Sequence, residues 1–251
     1  MRQLTIFLDD GGVMNDNNIR GPQWRQLVAE YLAPRLGGEH ERWGEANRIV
    51  AERAWDSLSE RERQHPYRGY RANQDIYLNE WLTWMCDHVG VAAPQGGECL
   101  QLARDAGSYV TRRVRAAYPG VVDAIRALHA DGYALMTASG GPSEDLEGYL
   151  EGMGVRECFT SRLYGPDFID TPKLHPDFYR RIFDDARVAP ADALVVDNDP
   201  EALHYASAAG AAAVLVAHEH DAPAARGSPT IGALADLLAL LERSDRRSRL
   251  R

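Results

Sequence analysis

Lysine is almost missing from this chain. Lysine and arginine together number 28, and only Lys173 is lysine, which leaves 27 arginines. A bias toward arginine accounts for the scarcity, but not for the place where the ammonium is kept. A guanidinium is a wide planar fork, whereas an ammonium is a compact point charge on a thin stem that fits beside a small, crowded anion. Cysteine is scarce as well. Cys86, Cys99 and Cys158 are scattered, form no CxxC and are odd in number. That excludes a fully paired disulfide framework and suits a reducing cytoplasm. No apolar run approaches the roughly 20 residues of a membrane span. The apolar stretch Leu4–Leu8 is too short for a secretory leader and meets Asp9 at once. Positive charge is in deficit, with a net charge of −9. Such a chain lacks the electrostatic footprint of a nucleic-acid or anionic-membrane binder, while a small phosphorylated substrate needs only local positive charge.

What is present is ordinary in amount and informative in order. At 251 residues, 45% hydrophobic and 26% charged, the chain can bury one large core or a core with an inserted smaller domain. Leu4–Leu8 reads as a buried parallel strand that opens into Asp9-Asp10-Gly11-Gly12. The next hundred residues hold all five tryptophans, Trp24, Trp43, Trp55, Trp81 and Trp84, with helix-period stretches at Gln23–Tyr31 and Ile76–Val89 and no convincing strand. Most of these tryptophans read as core. From Tyr118 the pattern changes to strand–helix alternation. Helices are expected to Ala130 from Pro119, and over Ser143–Met153, Pro176–Ala186, Pro200–Ala209 and Thr230–Leu241. Strands are expected at Tyr133–Met136, Ala193–Val196 and Ala212–Ala217, and the basic tail SDRRSRLR reads as frayed. The result is a βαβ core interrupted after its first strand by a helical insert.

In open parallel sheets, ligands meet the carboxyl ends of strands. The polar residues there are Asp9, Thr137 and Asp197, and Lys173 precedes a helix from which it reaches the same edge. The Asp9 carboxylate can attack phosphorus to form an aspartyl-phosphate. Two anions repel, so positive charge must hold them together. A Mg²⁺ shared by Asp9 and Asp197 would do so, with Lys173 balancing the remaining charge and the Thr137 hydroxyl donating to a phosphoryl oxygen. His218-Glu219-His220 looks like a metal pair, but no further ligand set accompanies it.

These residues resemble the haloacid dehalogenase-like superfamily of hydrolases with a helical, C1-type cap. The resemblance rests on Phe7-Leu8-Asp9-Asp10-Gly11-Gly12-Val13, on Ala134-Leu135-Met136-Thr137 preceded by YPGVVDAIRALHADGY, on Lys173-Leu174-His175-Pro176, and on Leu194-Val195-Val196-Asp197-Asn198-Asp199. One such motif is weak; four in this order are specific. The resemblance implies an α/β fold, a Rossmann-like parallel sheet core over residues 1–16 plus 116–251, with an inserted all-helical cap over 17–115. It makes Asp9 the nucleophile, Thr137 and Lys173 its catalytic partners, and Asp9, the Gly11 carbonyl, Asp197 and Asn198 or Asp199 the Mg²⁺ ligands. Substrate contact is expected at Gly11, Gly12, Asn15, Arg20, Ala138 and Ser139.

Two departures matter. Many phosphatases of the superfamily carry an aspartate two positions after the nucleophile as general acid and base, and here that place is Gly11. Asp10 does not simply substitute, because adjacent strand side chains point to opposite sides. General acid–base help is worth roughly 10²–10⁴-fold, so substrates with good leaving groups, such as sugar 1-phosphates and acyl phosphates, lose least. In the fourth motif the place of the main metal carboxylate falls on Asn198. The expectation is a Mg²⁺-dependent phosphatase of a small phosphorylated metabolite, cytoplasmic, monomeric or homodimeric, with no nucleic-acid or membrane partner. The alternatives are a metal-independent 2-haloacid dehalogenase-type hydrolase, disfavoured by the acidic fourth motif, and a weakly active phosphate-ligand binding protein on the same scaffold.

Overall fold

The computed structural model describes residues 4–64, 69–218 and 228–249, without the side chains of Glu62 and of 244–249. Contacts divide the chain into two compact units, one of residues 1–17, 116–146 and 153–251, the other of 18–115 with 147–152.

The first unit is built on β1 (Thr5–Leu8), a run of four buried residues. A strand covered on both faces reads as a continuous apolar run rather than an alternation, as parallel strands between helices do. The second unit carries α1 (Asn17–Leu36), α2 (His40–Gln64), α3 (Tyr70–Val89) and α4 (Gly97–Thr111). The core then resumes with α5 (Val121–Ala130), β2 (Ala134–Thr137), α6 (Ser143–Met153), the short α7 (Pro166–Ile169), α8 (Phe178–Ala186), β3 (Ala193–Asp197), α9 (Pro200–Ala208), β4 (Ala212–Val216), β5 (Thr230–Ile231) and α10 (Leu237–Arg249). The sheet is parallel, in the order β2-β1-β3-β4-β5.

This order reverses at β1, whose successor pairs on one side and β3 on the other. The gap between the carboxyl ends of β1 and β3 is therefore the topological switch point, where doubly wound sheets hold ligands. Register decides what stands there. Leu8 pairs with Thr137 on one side and with Val196 on the other. Asp9 N–H continues the ladder to the Val196 carbonyl at 3.0 Å, so Asp9 and Asp197 stand side by side, one strand spacing of about 4.8 Å apart in backbone. Below them, Phe7 packs edge-on to Phe183 with ring centroids 5.3 Å apart, and Phe178, Tyr179, Ile182 and Phe183 seat α8 in the same buried cluster.

In the helical unit Trp43 and Trp81 are buried, each with its indole N–H bonded, to the Gly37 carbonyl at 2.8 Å and to Asn47 Oδ1 at 3.0 Å. Trp55 is 53% exposed, so it is not a core residue. No strand occurs among the described residues of this insert. Residues 147–152 of α6 join it through a close backbone approach. A Cβ on Gly148 would lie 2.0 Å from Thr111 Oγ1, so only glycine permits that packing.

The C-terminal segment corrects one expectation. Thr230–Leu241 is not a single helix: Thr230 and Ile231 pair with Leu215 and Val216 as β5, and the helix starts at Leu237. The edge of β4 would otherwise present unpaired backbone groups, and two β-branched residues satisfy it in a strand too short for any periodicity to reveal. α10 runs to Arg249, and the last two residues of the basic tail, 250 and 251, lie outside the described residues.

Candidate active site

The two neighbouring carboxylates at the switch point need a cation, and Lys173 supplies it. Its Nζ lies 2.9 Å from Asp9 Oδ1 and 2.8 Å from Asp197 Oδ2, with the lysine side chain 12% exposed. The stem runs past Gly140, where an added Cβ would meet Lys173 Cδ at 3.6 Å. The ammonium lies between the two carboxylates expected to share Mg²⁺ and itself supplies positive charge there. Burial works against the charged lysine, but both carboxylates outweigh it and hold its pKa above the ordinary lysine value.

Asp197 is fully buried, and both its oxygens are engaged. Oδ1 accepts from Asp199 N–H at 2.9 Å, and Oδ2 accepts from Lys173 and from the Tyr179 hydroxyl at 3.3 Å. Burial raises its pKa to about 7, with the Lys173 charge opposing and the Asp9 charge adding to the rise. Tyr179 is raised well above its ordinary value by the same burial. The folded chain therefore holds a proton on Asp197 more tightly than the unfolded chain. That stabilisation is complete below about pH 4, the unfolded aspartate value, and is lost as pH rises toward 7. In thermal melts Asp197→Asn, which has no such proton to lose, is expected to flatten the fall of Tm between pH 4 and 7. An unchanged slope contradicts this.

The loop after β1 is tied internally. The Asp10 carbonyl accepts from Met14 and Asn15 N–H at 2.8 and 2.9 Å, and its carboxylate accepts from Asn15 Nδ2 at 2.6 Å. Asp10 is thus a loop brace, not a substitute acid. Asn15, expected to meet substrate, is 1% exposed with its amide engaged, so its observed work is to hold the loop. Gly12 takes φ +88°, and a Cβ there would fall 2.4 Å from Asn198 Nδ2. Asn198 therefore lies directly against the Asp9 loop, while Asp199 Oδ1 accepts from Glu201 N–H at 2.8 Å and caps α9.

The β2 end is more committed than expected. The Thr137 hydroxyl donates to the Tyr164 carbonyl at 3.3 Å, so donation to a substrate requires it to turn from that bond. Ala138 N–H bonds the Leu8 carbonyl at 2.9 Å and Ser139 N–H the Tyr164 carbonyl at 3.2 Å. Neither of those two backbone donors is open to substrate, because both complete the strand edge. The start of α6 is closed to anions by Asp167, which accepts from Ser143 N–H at 2.7 Å and from its hydroxyl at 2.5 Å. Arg20 belongs to the helical unit, with its guanidinium 5.1 Å above the Tyr149 ring. His175 Nδ1 accepts from Asp177 N–H at 3.1 Å in the turn that leads into α8.

Two residues of this edge were missed in the sequence, Tyr179 and Asp167, and His218 was weighed only as half of a metal pair. Tyr179 reads as one more aromatic on an apolar helix face, and the available signal is that a buried phenol needs a partner. His218 Nε2 lies 2.9 Å from the Gly12 carbonyl. Glu219 and His220 fall outside the described residues.

A family model for haloacid dehalogenase-like hydrolases matches residues 5–210. The chain belongs to this family of hydrolases. Among curated proteins, no sequence match is significant. Its fold is similar to that of the 2-haloacid dehalogenase from Pseudomonas syringae pv. Tomato DC3000, at 18% identity over 96% of this chain and 99% of that one, TM-score 0.67. It is similar to L-2-haloacid dehalogenase from Xanthobacter autotrophicus, with chloropropionic acid covalently bound, at 18% identity over 96% and 98%, TM-score 0.60. It is also similar to YfnB from Bacillus subtilis, described as a HAD-hydrolase bound to magnesium, at 14% identity over 96% and 99%, TM-score 0.64. At these identities the likeness shows the fold. No helix among the described residues is long and apolar enough to cross a membrane.

The family implies Mg²⁺ for many members, and the donor set here fits in part. Among the described residues no group of three or more His, Cys, Asp and Glu could hold a metal, and both Asp197 oxygens already accept hydrogen bonds within the protein. Three others of the expected ligands carry oxygens without such bonds. Asp9 Oδ2, the Gly11 carbonyl and the Asn198 amide oxygen enter none of the hydrogen bonds described among these residues. One carboxylate and two neutral oxygens form a hard donor set that Mg²⁺ accepts when water and a substrate phosphate complete it.

Proposed function

We propose that this hydrolase is a Mg²⁺-dependent phosphatase of a small phosphorylated metabolite, working through an aspartyl-phosphate on Asp9. The observation that supports it is the charge balance. With both carboxylates ionised, Asp9, Asp197 and Lys173 sum to −1, which repels a phosphate dianion. A divalent cation at the free oxygens of Asp9, Gly11 and Asn198 would offset that repulsion and withdraw charge from the phosphoryl oxygens.

Lys173, 2.9 Å from Asp9 Oδ1, holds the Asp9 carboxylate in place. An Asp9 oxygen attacks phosphorus, the bond to the leaving oxygen breaks, and that oxygen takes a proton from water because Gly11 offers no acid. Water then attacks the phosphorus, returning Asp9 and releasing inorganic phosphate. Without a side-chain acid, sugar 1-phosphates and acyl phosphates are the substrate classes favoured. Tyr179 and the Asp199 N–H hold Asp197, which in turn holds Lys173.

A second reading has one specific observation behind it. Asp197 is buried and bonded on both oxygens to the protein, so its charge is balanced within the site rather than presented to a carboxylate substrate. The repulsion expected against a haloacid is thus smaller than the fourth motif suggests. The same Asp9 would then attack carbon, expel halide and form an ester that water cleaves.

The two separate in one panel. Phosphate release from sugar phosphates, nucleotides and acyl phosphates is expected with Mg²⁺ and to fall at least about tenfold on chelation. Halide release from 2-haloacids that survives the chelator, with no phosphate release, would reverse the assignment.

A further inference from the structure

We propose that His218 is a positioning residue for the Asp9 loop, a role that rests on the reading of Asp9 as nucleophile. His218 directly follows Ala217, whose N–H bonds the Ile231 carbonyl at 3.0 Å beyond the end of β4. That pairing brings the ring to a loop more than 200 positions earlier in the chain. Its Nε2 lies 2.9 Å from the Gly12 carbonyl. A carbonyl only accepts, so the contact requires the imidazole proton on Nε2. The ring is stacked on Tyr118, with centroids 4.0 Å apart and planes 22° from parallel. Tyr118 N–H in turn donates to the Met14 carbonyl at 3.1 Å.

These contacts close a circuit. Gly12, His218, Tyr118 and Met14 are joined end to end, and the loop runs from Gly12 back to Met14. Gly12 N–H is held as well, by the Asn15 carbonyl at 2.8 Å. Both backbone polar groups of Gly12 are therefore fixed, and Asn198 fills the space above its α-carbon. Gly11 sits between this anchored residue and the Asp9 strand end. Its peptide is the part of the loop with polar groups left to meet the reacting phosphoryl group, and its aim follows from how Gly12 is held. A small misplacement of such a group costs up to about 100-fold in rate.

The test pairs two variants with a measurement that needs no substrate. His218→Ala is expected to lower kcat roughly 10–100-fold with KM changed less than about threefold. His218→Gln, which places an amide N–H at a similar reach to Nε2, is expected to recover most of the loss. Nitrogen-15 NMR of the ring is expected to show a proton on Nε2 with slowed exchange of that proton. Wild-type kcat in His218→Ala overturns the proposal. So does a His218→Gln variant as impaired as His218→Ala, which assigns the ring to packing alone. An Nδ1–H tautomer overturns it whatever the variants do. If the wild-type enzyme releases no phosphate from any compound, the phosphatase reading fails, and the tautomer and proton exchange still decide the brace.

Discussion

Asp9→Asn is expected to reduce turnover by more than about 1,000-fold while leaving the melting transition in place. An amide oxygen has the shape of the carboxylate oxygen but little of its nucleophilicity. Asn Oδ1 can still accept from Lys173 Nζ, now 2.9 Å from Asp9. Removing one of two neighbouring negative charges also relieves their repulsion, so the fold has little to lose. Turnover with the best substrate of the panel and a circular-dichroism melt check both halves. A variant within tenfold of wild type would remove Asp9 from the role of nucleophile. A collapsed melt would make the loss of activity uninformative, and Asp9→Glu, which keeps the charge and moves the attacking atom, then serves the same purpose.

Lys173→Arg is expected to lose at least about tenfold in activity although the formal charge is unchanged. The ammonium sits 2.9 and 2.8 Å from two carboxylates of adjacent strands, with its stem against Gly140. A planar fork cannot enter that space without pushing the carboxylates apart or withdrawing from one of them. Lys173→Met tests the energetics. Removing one partner from a buried ion pair costs about 3–5 kcal/mol when the other charge stays. Here Asp197 can take up a proton, its pKa being raised to about 7 even with the lysine present. The variant is therefore expected to lose more stability at pH 8 than at pH 5, measured by urea unfolding at both. Equal losses would mean that Asp197 does not carry the difference, and a fully active Lys173→Arg would mean that the compact charge is not needed.

The legibility of this protein in its sequence is uneven in a way that has physical causes. Lys173 stood out by composition, and Asp9, Thr137 and Asp197 stood out because each ends an apolar run. Those are local signals. The commitments of Ala138, Ser139 and Asn15 were not legible, because each depends on a partner that nothing nearby predicts. Tyr164, whose carbonyl takes the Thr137 hydroxyl and the Ser139 N–H, lies some 25 positions downstream. Asp10 looked like a second acid beside Asp9, and its carboxylate instead closes a five-residue turn onto Asn15. Thr230–Ile231 was invisible as a strand because a two-residue pairing has no period.

By itself the sequence determined the alternation of apolar strands with amphipathic helices, the interruption of that alternation by a strand-free insert, and the inventory of groups at strand ends. These follow from side-chain periodicity and turn chemistry, which act over a few residues. Only the tertiary structure decided that Asp9 and Asp197 stand on adjacent strands at one level, that the ammonium of Lys173 sits between them, and that His218 reaches back to Gly12. Strand order, register and the seating of α8 set those distances. They are properties of the packed sheet as a whole, in which one residue of slip would carry Asp9 or Asp197 to the other face.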